Sequence, residues 1–172
     1  ETGLKVADLG TGSGAILVGF LYYCRDAVGV GIDISTEALK IAEENGQNLK
    51  ITDRVEWRQG DYLKAFDEED IFDGIFSNPP YIPTKDIGGL SREVKHEPRL
   101  ALHGGTDGLY FYHLLAKGAA EHLKPGGFLA VEFGIGQATD ILEMFRKSAQ
   151  YEDFEVIKDY GGIKRALYCR KK

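Results

Sequence analysis

The chain has 172 residues, enough for one domain with a sizeable core, and its 43% hydrophobic and 28% charged residues are an ordinary globular balance. The net charge of −6 argues against a protein that grips a long stretch of DNA or RNA, because such proteins usually carry a basic surface. No apolar run reaches transmembrane length, and the isolated Cys24 and Cys169 make neither a disulfide framework nor a metal site. We therefore expect a cytoplasmic protein with reduced thiols, no metal and no membrane contact.

Apolar runs alternate with helical patterns along the first part of the chain, which is typical of an α/β domain with a mainly parallel sheet. The predicted elements are a strand at residues 4–9, a glycine-rich turn at 10–14, a helix at Ala15–Tyr23, a strand at 28–34, a helix capped by Ser35 or Thr36 and running to about Asn48, and a strand at Val55–Gln59. The second helix is predicted to turn inward the side chains of Ala38, Leu39, Ile41 and Ala42.

The second part of the chain continues the alternation after a strand at Phe72–Ser77. A polar loop runs to about residue 107, and a loop of this length inside a compact domain is usually functional or mobile. The remaining predicted elements are a helix at 109–123 stopped by residues 124–127, a strand at 128–133, a helix at 137–149 and two strands at 154–159 and 165–170 that form an antiparallel pair at the sheet edge.

The turn after the first strand is glycine-rich, since residues 8–15 read Asp-Leu-Gly-Thr-Gly-Ser-Gly-Ala. Such a strand-to-helix turn lets a ligand approach the backbone closely, with amides pointing at it. Gly10, Gly12 and Ala15 also satisfy the relaxed dinucleotide fingerprint, so a nicotinamide cofactor stays open at this point. A tight turn that binds no ligand is the simpler alternative.

Acidic residues follow the next two strands. Asp33 ends the second strand, where a carboxylate can accept hydrogen bonds from ribose hydroxyls, although it can also cap the following helix. In Gly60-Asp61-Tyr62, after the third strand, Asp61 could accept from the exocyclic amine of adenine, and Tyr62 could offer a ring edge or a backbone amide. Asp after Gly is common in loops, so this second pattern is weak by itself.

The motif Asn78-Pro79-Pro80-Tyr81 follows the fourth strand and carries the most specific signal. The prolines fix φ and remove two backbone donors, and a residue before proline prefers extended geometry. The side-chain carbonyl of Asn78 and the main-chain carbonyl of Pro79 then form two fixed acceptors, which suit an NH2 group with two N–H donors. Tyr81 can stack on a planar amide or base. The alternative is a rigid turn that only ends the strand.

Other candidate residues lack a supporting pattern. His96, His103, His113 and His122 have no zinc-ligand spacing and no cysteine-rich partner. Ser13 lies in a Gly-x-Ser-x sequence without a convincing His-Asp set, which argues against a hydrolase.

These motifs, in this order, resemble the class I S-adenosylmethionine-dependent methyltransferases and, more narrowly, the peptide-chain release-factor glutamine methyltransferases of the HemK family. Residues 8–15 match the first motif of that family and residues 78–81 its catalytic motif. Residues 97–102 and 104–109 resemble the loop-to-helix segment that follows the catalytic motif. DNA adenine methyltransferases share Asn-Pro-Pro-Tyr but not typically this segment, and the resemblance covers essentially the whole chain.

The resemblance implies a Rossmann-like class I methyltransferase fold: a seven-stranded, mostly parallel sheet with an antiparallel edge pair and helices on both faces. It implies methyl transfer from S-adenosylmethionine to the side-chain nitrogen of a glutamine in a protein, a release factor in translation termination, with Asn78, Pro79 and Tyr81 as catalytic residues. The cofactor, released as S-adenosylhomocysteine, would be held by Asp8, Gly10, Thr11, Gly12, Gly14, Asp33, Ile34, Asp61, Tyr62 and Asn78.

The sequence departs from the family pattern in two respects. Family members carry an amino-terminal helical domain that helps to hold the release factor, and we expect this chain to be the methyltransferase domain alone, over residues 1–172. His96 and His103 occupy positions at which relatives often differ, so the rim of the substrate loop is not predicted.

Three alternatives to a release factor stay open. The same acceptors suit the amino group of a flipped adenine stacked on Tyr81 in DNA or RNA, although the acidic balance argues against direct nucleic-acid binding. The target glutamine could lie in a ribosomal protein. A NAD-dependent oxidoreductase, or a nucleotide-binding domain without catalysis, would use the glycine turn and Asp33 but would leave residues 78–81 unexplained.

Overall fold

The computed structural model describes residues 3–89 and 102–172. The strands are β1 (Lys5–Leu9), β2 (Val28–Asp33), β3 (Val55–Gln59), β4 (Phe72–Ser77), β5 (Leu123–Glu132), β6 (Tyr151–Lys158) and β7 (Lys164–Lys171). The helices are α1 (Ala15–Tyr23), α2 (Thr36–Asn48), α3 (Tyr110–Gly118) and α4 (Ala138–Lys147). Short 3-10 turns occupy Thr52–Arg54, Tyr62–Ala65, Thr84–Gly89 and Ala119–His122.

The strands form one seven-stranded sheet in the order β3-β2-β1-β4-β5-β7-β6. The first five of these strands are parallel, and β7 pairs antiparallel with both β5 and β6. The predicted mostly parallel sheet with an antiparallel edge pair is therefore confirmed. The chain runs outward in both directions from β1 and β4, which creates a topological switch point between these two strands.

Helices cover both faces of the sheet because side chains alternate between the faces along each strand. Val6 of β1 belongs to a buried cluster with Leu17 and Leu21 of α1. Ala7, the next residue, belongs to a larger cluster on the opposite face, which includes Phe145 of α4 and residues of α3. Burial on both faces explains why the central strands read as nearly continuous apolar runs.

The predicted helix at 109–123 is wrong at its carboxyl end. The α-helix stops at Gly118, a poor helix former, and the chain tightens into a 3-10 turn that buries Ala119 and Ala120. Residues 124–127, predicted to stop the helix, lie inside β5, which begins at Leu123 instead of residue 128. Its register with β4 shifts here, and Gly126 at φ 74° accommodates the irregularity.

Smaller differences concern one helix face and several element ends. Ile41 is half exposed, so its predicted place on the inner face of α2 is wrong, because it lies about 200° around the helix from the buried Leu39. Ser35 caps α2 as predicted, since its hydroxyl accepts from the Ala38 amide at 3.1 Å. The edge strand β6 begins at Tyr151, before the predicted residue 154.

Candidate active site

Two of the predicted motifs leave the sheet side by side. In the parallel register of β1 and β4, Leu9 is opposite Ser77, so the glycine turn and the Asn-Pro-Pro-Tyr turn begin at adjacent strand ends. The Ser77 hydroxyl donates to the Leu9 carbonyl at 2.7 Å and ties the two ends together. Open α/β sheets place ligands in the crevice at such a switch point.

The glycine turn folds tightly over the end of β2. The amides of Gly10 and Thr11 both donate to the Ile32 carbonyl at 2.9 Å. Gly10, Gly12 and Gly14 all have positive φ, of 69°, 55° and 77°, a left-handed backbone that side chains rarely adopt. An added Cβ at Gly12 would meet no atom within 4 Å, so the outer surface of the turn is open to a ligand.

Asp33 connects the glycine turn to the start of α2. One carboxylate oxygen accepts from the Gly12 amide at 2.8 Å and the other from the Ser35 amide at 2.9 Å. The alternative interpretation of Asp33 as the cap of α2 is wrong, because Ser35 holds that position, and each carboxylate oxygen of Asp33 keeps a second lone pair. Ile34, the next residue, has a side chain that is half exposed at the same edge.

Asp8 lies beneath the glycine turn. Its side chain is only 1% exposed, and one oxygen accepts from the Thr11 hydroxyl at 2.7 Å. The other oxygen is buried without a hydrogen-bond partner. Burial raises the pKa of Asp8 to about 6, with a smaller contribution in the same direction from the charge of Asp33. Any contribution of Asp8 to ligand binding is therefore electrostatic or acts through Thr11.

Tyr62 also lies beneath the turn, and its hydroxyl is buried without a hydrogen-bond partner. An added Cβ at Gly10 would sit 2.8 Å from this hydroxyl. The ring stacks on Phe111 of α3 with the centroids 4.5 Å apart, so little of the ring edge predicted to meet adenine is exposed. Asp61, in contrast, is half exposed and pairs with Lys64 at 2.6 Å.

The acceptor groups of the Asn-Pro-Pro-Tyr turn have different environments. The Asn78 side chain is exposed and has no hydrogen-bond partner within the described part of the chain, while Pro79 is buried. Tyr81 is half-buried, and its ring lies against Gly134 in the loop between β5 and α4, where an added Cβ would meet the ring at 2.9 Å. Among the described residues, the turn therefore presents an unpaired carboxamide at Asn78, while Pro79 is buried and Tyr81 packs against the loop after β5.

The segment after the turn pairs with the chain that returns toward α3. The Ile82 amide donates to the Leu102 carbonyl at 3.0 Å, and the Gly104 amide donates to the Ile82 carbonyl at 2.9 Å. The Thr84 hydroxyl donates to the Gly105 carbonyl at 3.0 Å and lies 2.8 Å from Nε2 of His103. These contacts give His103 a structural place at the base of the loop, while His96 and residues 97–101 lie outside the described residues.

Sequence reasoning missed Gln137, whose carboxamide contacts three segments of this site. It accepts from the Gly134 amide at 2.9 Å and donates to the carbonyls of Tyr81 at 3.1 Å and Gly108 at 3.3 Å. The available signal was a polar residue with long reach directly after a glycine-rich strand end.

Within residues 3–89 and 102–172, no group of three or more His, Cys, Asp or Glu side chains is arranged to hold a metal ion. The same residues contain no helix of the length and apolar character that crossing a membrane requires.

The model of one protein family, described as a methyltransferase domain, matches residues 1–132. The chain belongs to this methyltransferase family. The match includes the glycine turn, Asp33, Asp61 and Asn78, so the family covers every residue predicted to contact cofactor or substrate.

Curated relatives of this methyltransferase domain are named release factor glutamine methyltransferases, in agreement with the resemblance predicted from the motifs. The protein from Moorella thermoacetica is 41% identical over 167 residues, and that from Bradyrhizobium diazoefficiens is 46% identical over 168 residues. Each alignment covers 97% of this chain but only 59% and 56% of the two relatives. The chain thus spans little more than half the length of the proteins it matches.

Solved structures support the fold. A methyltransferase from Pyrococcus furiosus matches with a TM-score of 0.74 and 22% identity over 99% of this chain and 76% of its own. An RNA methyltransferase from Salinibacter ruber, solved with S-adenosyl-L-homocysteine, matches with a TM-score of 0.59 and 20% identity over 98% of this chain and 80% of its own. At these identities the likeness shows a shared Rossmann-like methyltransferase architecture.

Proposed function

We propose that this domain transfers a methyl group from S-adenosylmethionine to the side-chain amide nitrogen of a glutamine in a protein. The observation that supports the proposal most strongly is the free Asn78 carboxamide, which leaves the sheet next to the glycine turn because Leu9 and Ser77 are register partners. The turn offers a cofactor cradle and the carboxamide an acceptor for the target NH2, on neighbouring strand ends.

The charges at the strand ends fit a cationic cofactor. Three carboxylates, Asp8, Asp33 and Asp61, lie at or beneath this edge of the sheet, and the nearby Lys64 is paired with Asp61. A sulfonium with an α-ammonium group is favoured by such a surface, whereas the pyrophosphate of NAD is disfavoured. The proposed contacts are the ribose with Asp33, the adenine with Asp61 and Ile34, and the methionine part with the glycine turn.

Amide methylation needs positioning more than it needs a base. A glutamine nitrogen is a weak nucleophile, because its lone pair is delocalised into the carbonyl. S-adenosylmethionine, when bound, supplies an electrophilic methyl group. Hydrogen bonds from the target N–H groups to the carbonyls of Asn78 and Pro79 would hold the nitrogen in line and stabilise the positive charge that develops on it, with Tyr81 packing beside the amide. The proton can leave after attack, so the absence of Lys and His from the motif is consistent with this chemistry.

The proposed substrate is a peptide-chain release factor. The support is the name shared by the relatives that match nearly the whole chain, together with residues 97–109, which resemble the family segment after the catalytic motif. This substrate implies a cytoplasmic enzyme, in keeping with the free thiols of Cys24 and Cys169.

Asn78→Ala tests the proposed role of the carboxamide. Because the interaction strengthens as the nitrogen gains charge, we expect kcat to fall by roughly 100-fold, as when one oxyanion-hole donor is lost. Affinity for S-adenosylhomocysteine should change only a few-fold, since the glycine turn and Asp33 are untouched. Single-turnover transfer from tritiated cofactor to purified release factor, normalised to folded protein by circular dichroism, measures the change.

The control is Asn48→Ala, which removes an exposed carboxamide from the end of α2 and should leave kcat at the wild-type value. If Asn78 only ends a strand, Asn78→Ala will lower stability while kcat per folded molecule stays near wild type, and the proposed role is then wrong. In cell extract incubated with the tritiated cofactor, label that disappears with nuclease instead of protease would contradict a protein substrate and favour adenine in nucleic acid.

A further inference from the structure

The carboxamide of Gln137, at the start of α4, uses all its polar groups on main-chain atoms. Its oxygen accepts from the Gly134 amide, and its nitrogen donates to the carbonyls of Tyr81 and Gly108. Three segments that are distant in sequence are thereby joined: the loop after β5, the Asn-Pro-Pro-Tyr turn and the chain that leads into α3. None of the side chains predicted to bind cofactor or substrate joins these three segments.

The backbone around Gln137 is packed too closely to admit side chains. An added Cβ at Gly108, where φ is 79°, would collide with the Tyr81 carbonyl and lie 2.8 Å from the Gln137 amide nitrogen. An added Cβ at Gly104 would lie 2.7 Å from the Pro80 carbonyl. The glycines allow two backbones to approach until one carboxamide spans both carbonyls.

We infer that Gln137 is a positioning residue, which fixes the Asn-Pro-Pro-Tyr turn so that its acceptors meet the target amide. This inference rests on the proposed function. Only Pro79 and Pro80, whose φ angles are fixed, separate Asn78 from Tyr81, the residue whose carbonyl accepts from Gln137. Displacing the Tyr81 carbonyl therefore moves the acceptors of Asn78 and Pro79 with it, whereas the glycine turn on β1 stays in place.

Gln137→Glu removes both donors and preserves size and the acceptor for Gly134. We expect kcat to fall by roughly 10-fold to 100-fold, the cost of misplacing a reacting group by about 1 Å, with the affinity for S-adenosylhomocysteine unchanged. The introduced carboxyl faces two carbonyl oxygens, so its charged form is disfavoured and its pKa rises. Protonation restores one donor, so the deficit in kcat relative to wild type should shrink as the pH is lowered.

Gln150→Glu is the matched control. Gln150 also donates to two main-chain carbonyls, those of Ala116 at 3.3 Å and Lys117 at 3.1 Å, but at the opposite end of α3 from this site. Its variant should lose comparable stability while kcat keeps the wild-type value and pH profile.

Amide hydrogen exchange of the purified protein tests, independently of turnover, whether Gln137 holds these segments together. Exchange at the amides of Ile82 and Gly104, which pair the two segments, should accelerate by roughly 10-fold or more in Gln137→Glu and not in Gln150→Glu. Equal kcat in Gln137→Glu and wild type, or equal losses in the two variants, overturns the inference. If wild-type protein methylates no glutamine, the proposed function fails. Unchanged exchange at Ile82 and Gly104 in Gln137→Glu would separately overturn the positioning role of Gln137.

Discussion

Asp8 contributes an unfavourable charge to the folded protein. Its carboxylate is buried, has one hydrogen bond to Thr11 and leaves one oxygen unpaired, and burial raises its pKa to about 6. The folded protein holds this proton more tightly than the unfolded chain does. The contribution of Asp8 to stability should therefore fall as pH rises from about 4, the ordinary pKa of an aspartate, to about 6, and remain constant above that value.

Asp8→Asn should stabilise the protein at neutral pH. Asparagine resembles the protonated acid and keeps an acceptor for the Thr11 hydroxyl, so the comparison isolates the charge. We expect the variant to gain roughly 2–3 kcal/mol relative to wild type between pH 4 and pH 7, from about 1.4 kcal/mol per unit of pKa. Urea unfolding across this range measures it, and a difference in stability that does not vary with pH would contradict a charged Asp8 beneath the turn.

At the scale of single residues, the sequence predicted which chemical groups lie at the site better than it predicted their contacts. Asp33 and Asn78 were predicted to lie at the same edge of the sheet, because each follows a parallel strand and the carboxyl ends of such strands share one edge. Nothing local showed that Tyr62 turns under Gly10 to stack on Phe111. Such contacts depend on helices that arrive from distant parts of the chain.

At the scale of elements, glycines in β2 and α2 make room for a large ring. Trp57 of β3 is the only tryptophan, and its ring lies against Gly31, Gly14 and Gly46. An added Cβ would lie 3.0 Å from this ring at Gly14 and would overlap it at Gly31. The ring thus packs between the sheet and the glycine turn, which links the stability of this edge to the shape of that turn.

Gly31→Ala should lower the free energy of unfolding by roughly 1–3 kcal/mol, the usual cost of overpacking a core. Unfolding followed by the fluorescence of Trp57 measures the change directly. Gly19→Ala on α1 is the control: its added Cβ would meet no atom within 4 Å, so the variant should gain about 0.5–1 kcal/mol from helix propensity. Equal stabilities of Gly31→Ala and wild type would show that the ring moves aside without cost.

Periodicity predicted the type of nearly every element and failed where local and tertiary preferences differ. The run before β5 continues a helical pattern, and Pro125-Gly126-Gly127 reads as a helix stop. Pairing of Leu123 with Phe72 nevertheless extends β5 through these residues. A partner strand distant in sequence decides this boundary, so a local pattern could not predict it.

At the scale of the whole molecule, alternation of strands and helices predicted the sheet and its antiparallel edge. The alternation does not identify the cofactor, since a glycine turn followed by a strand-end carboxylate also suits NAD. The proposed preference for a cationic cofactor over NAD depends on the three-dimensional arrangement, because Asp8, Asp33 and Asp61 lie at one edge of the sheet.

Ligand-induced stabilisation of the whole chain distinguishes the cofactors. At a concentration about 100 times its Kd, S-adenosylhomocysteine should add about 2.7 kcal/mol of stability, and a domain of this size gains roughly 2–4 °C in Tm per kcal/mol, giving a shift of roughly 5–11 °C. NAD at the same concentration should give no shift in Tm.

Asp33→Ala removes the hydrogen bonds to Gly12 and Ser35 and lowers Tm without ligand, so the relevant quantity is the shift in Tm on adding ligand. Losing charge-assisted hydrogen bonds to the ribose should weaken binding by roughly 10-fold, which halves the stabilisation to about 1.4 kcal/mol. An undiminished shift in Asp33→Ala would restrict Asp33 to shaping the turn, and a larger shift with NAD would contradict the cofactor.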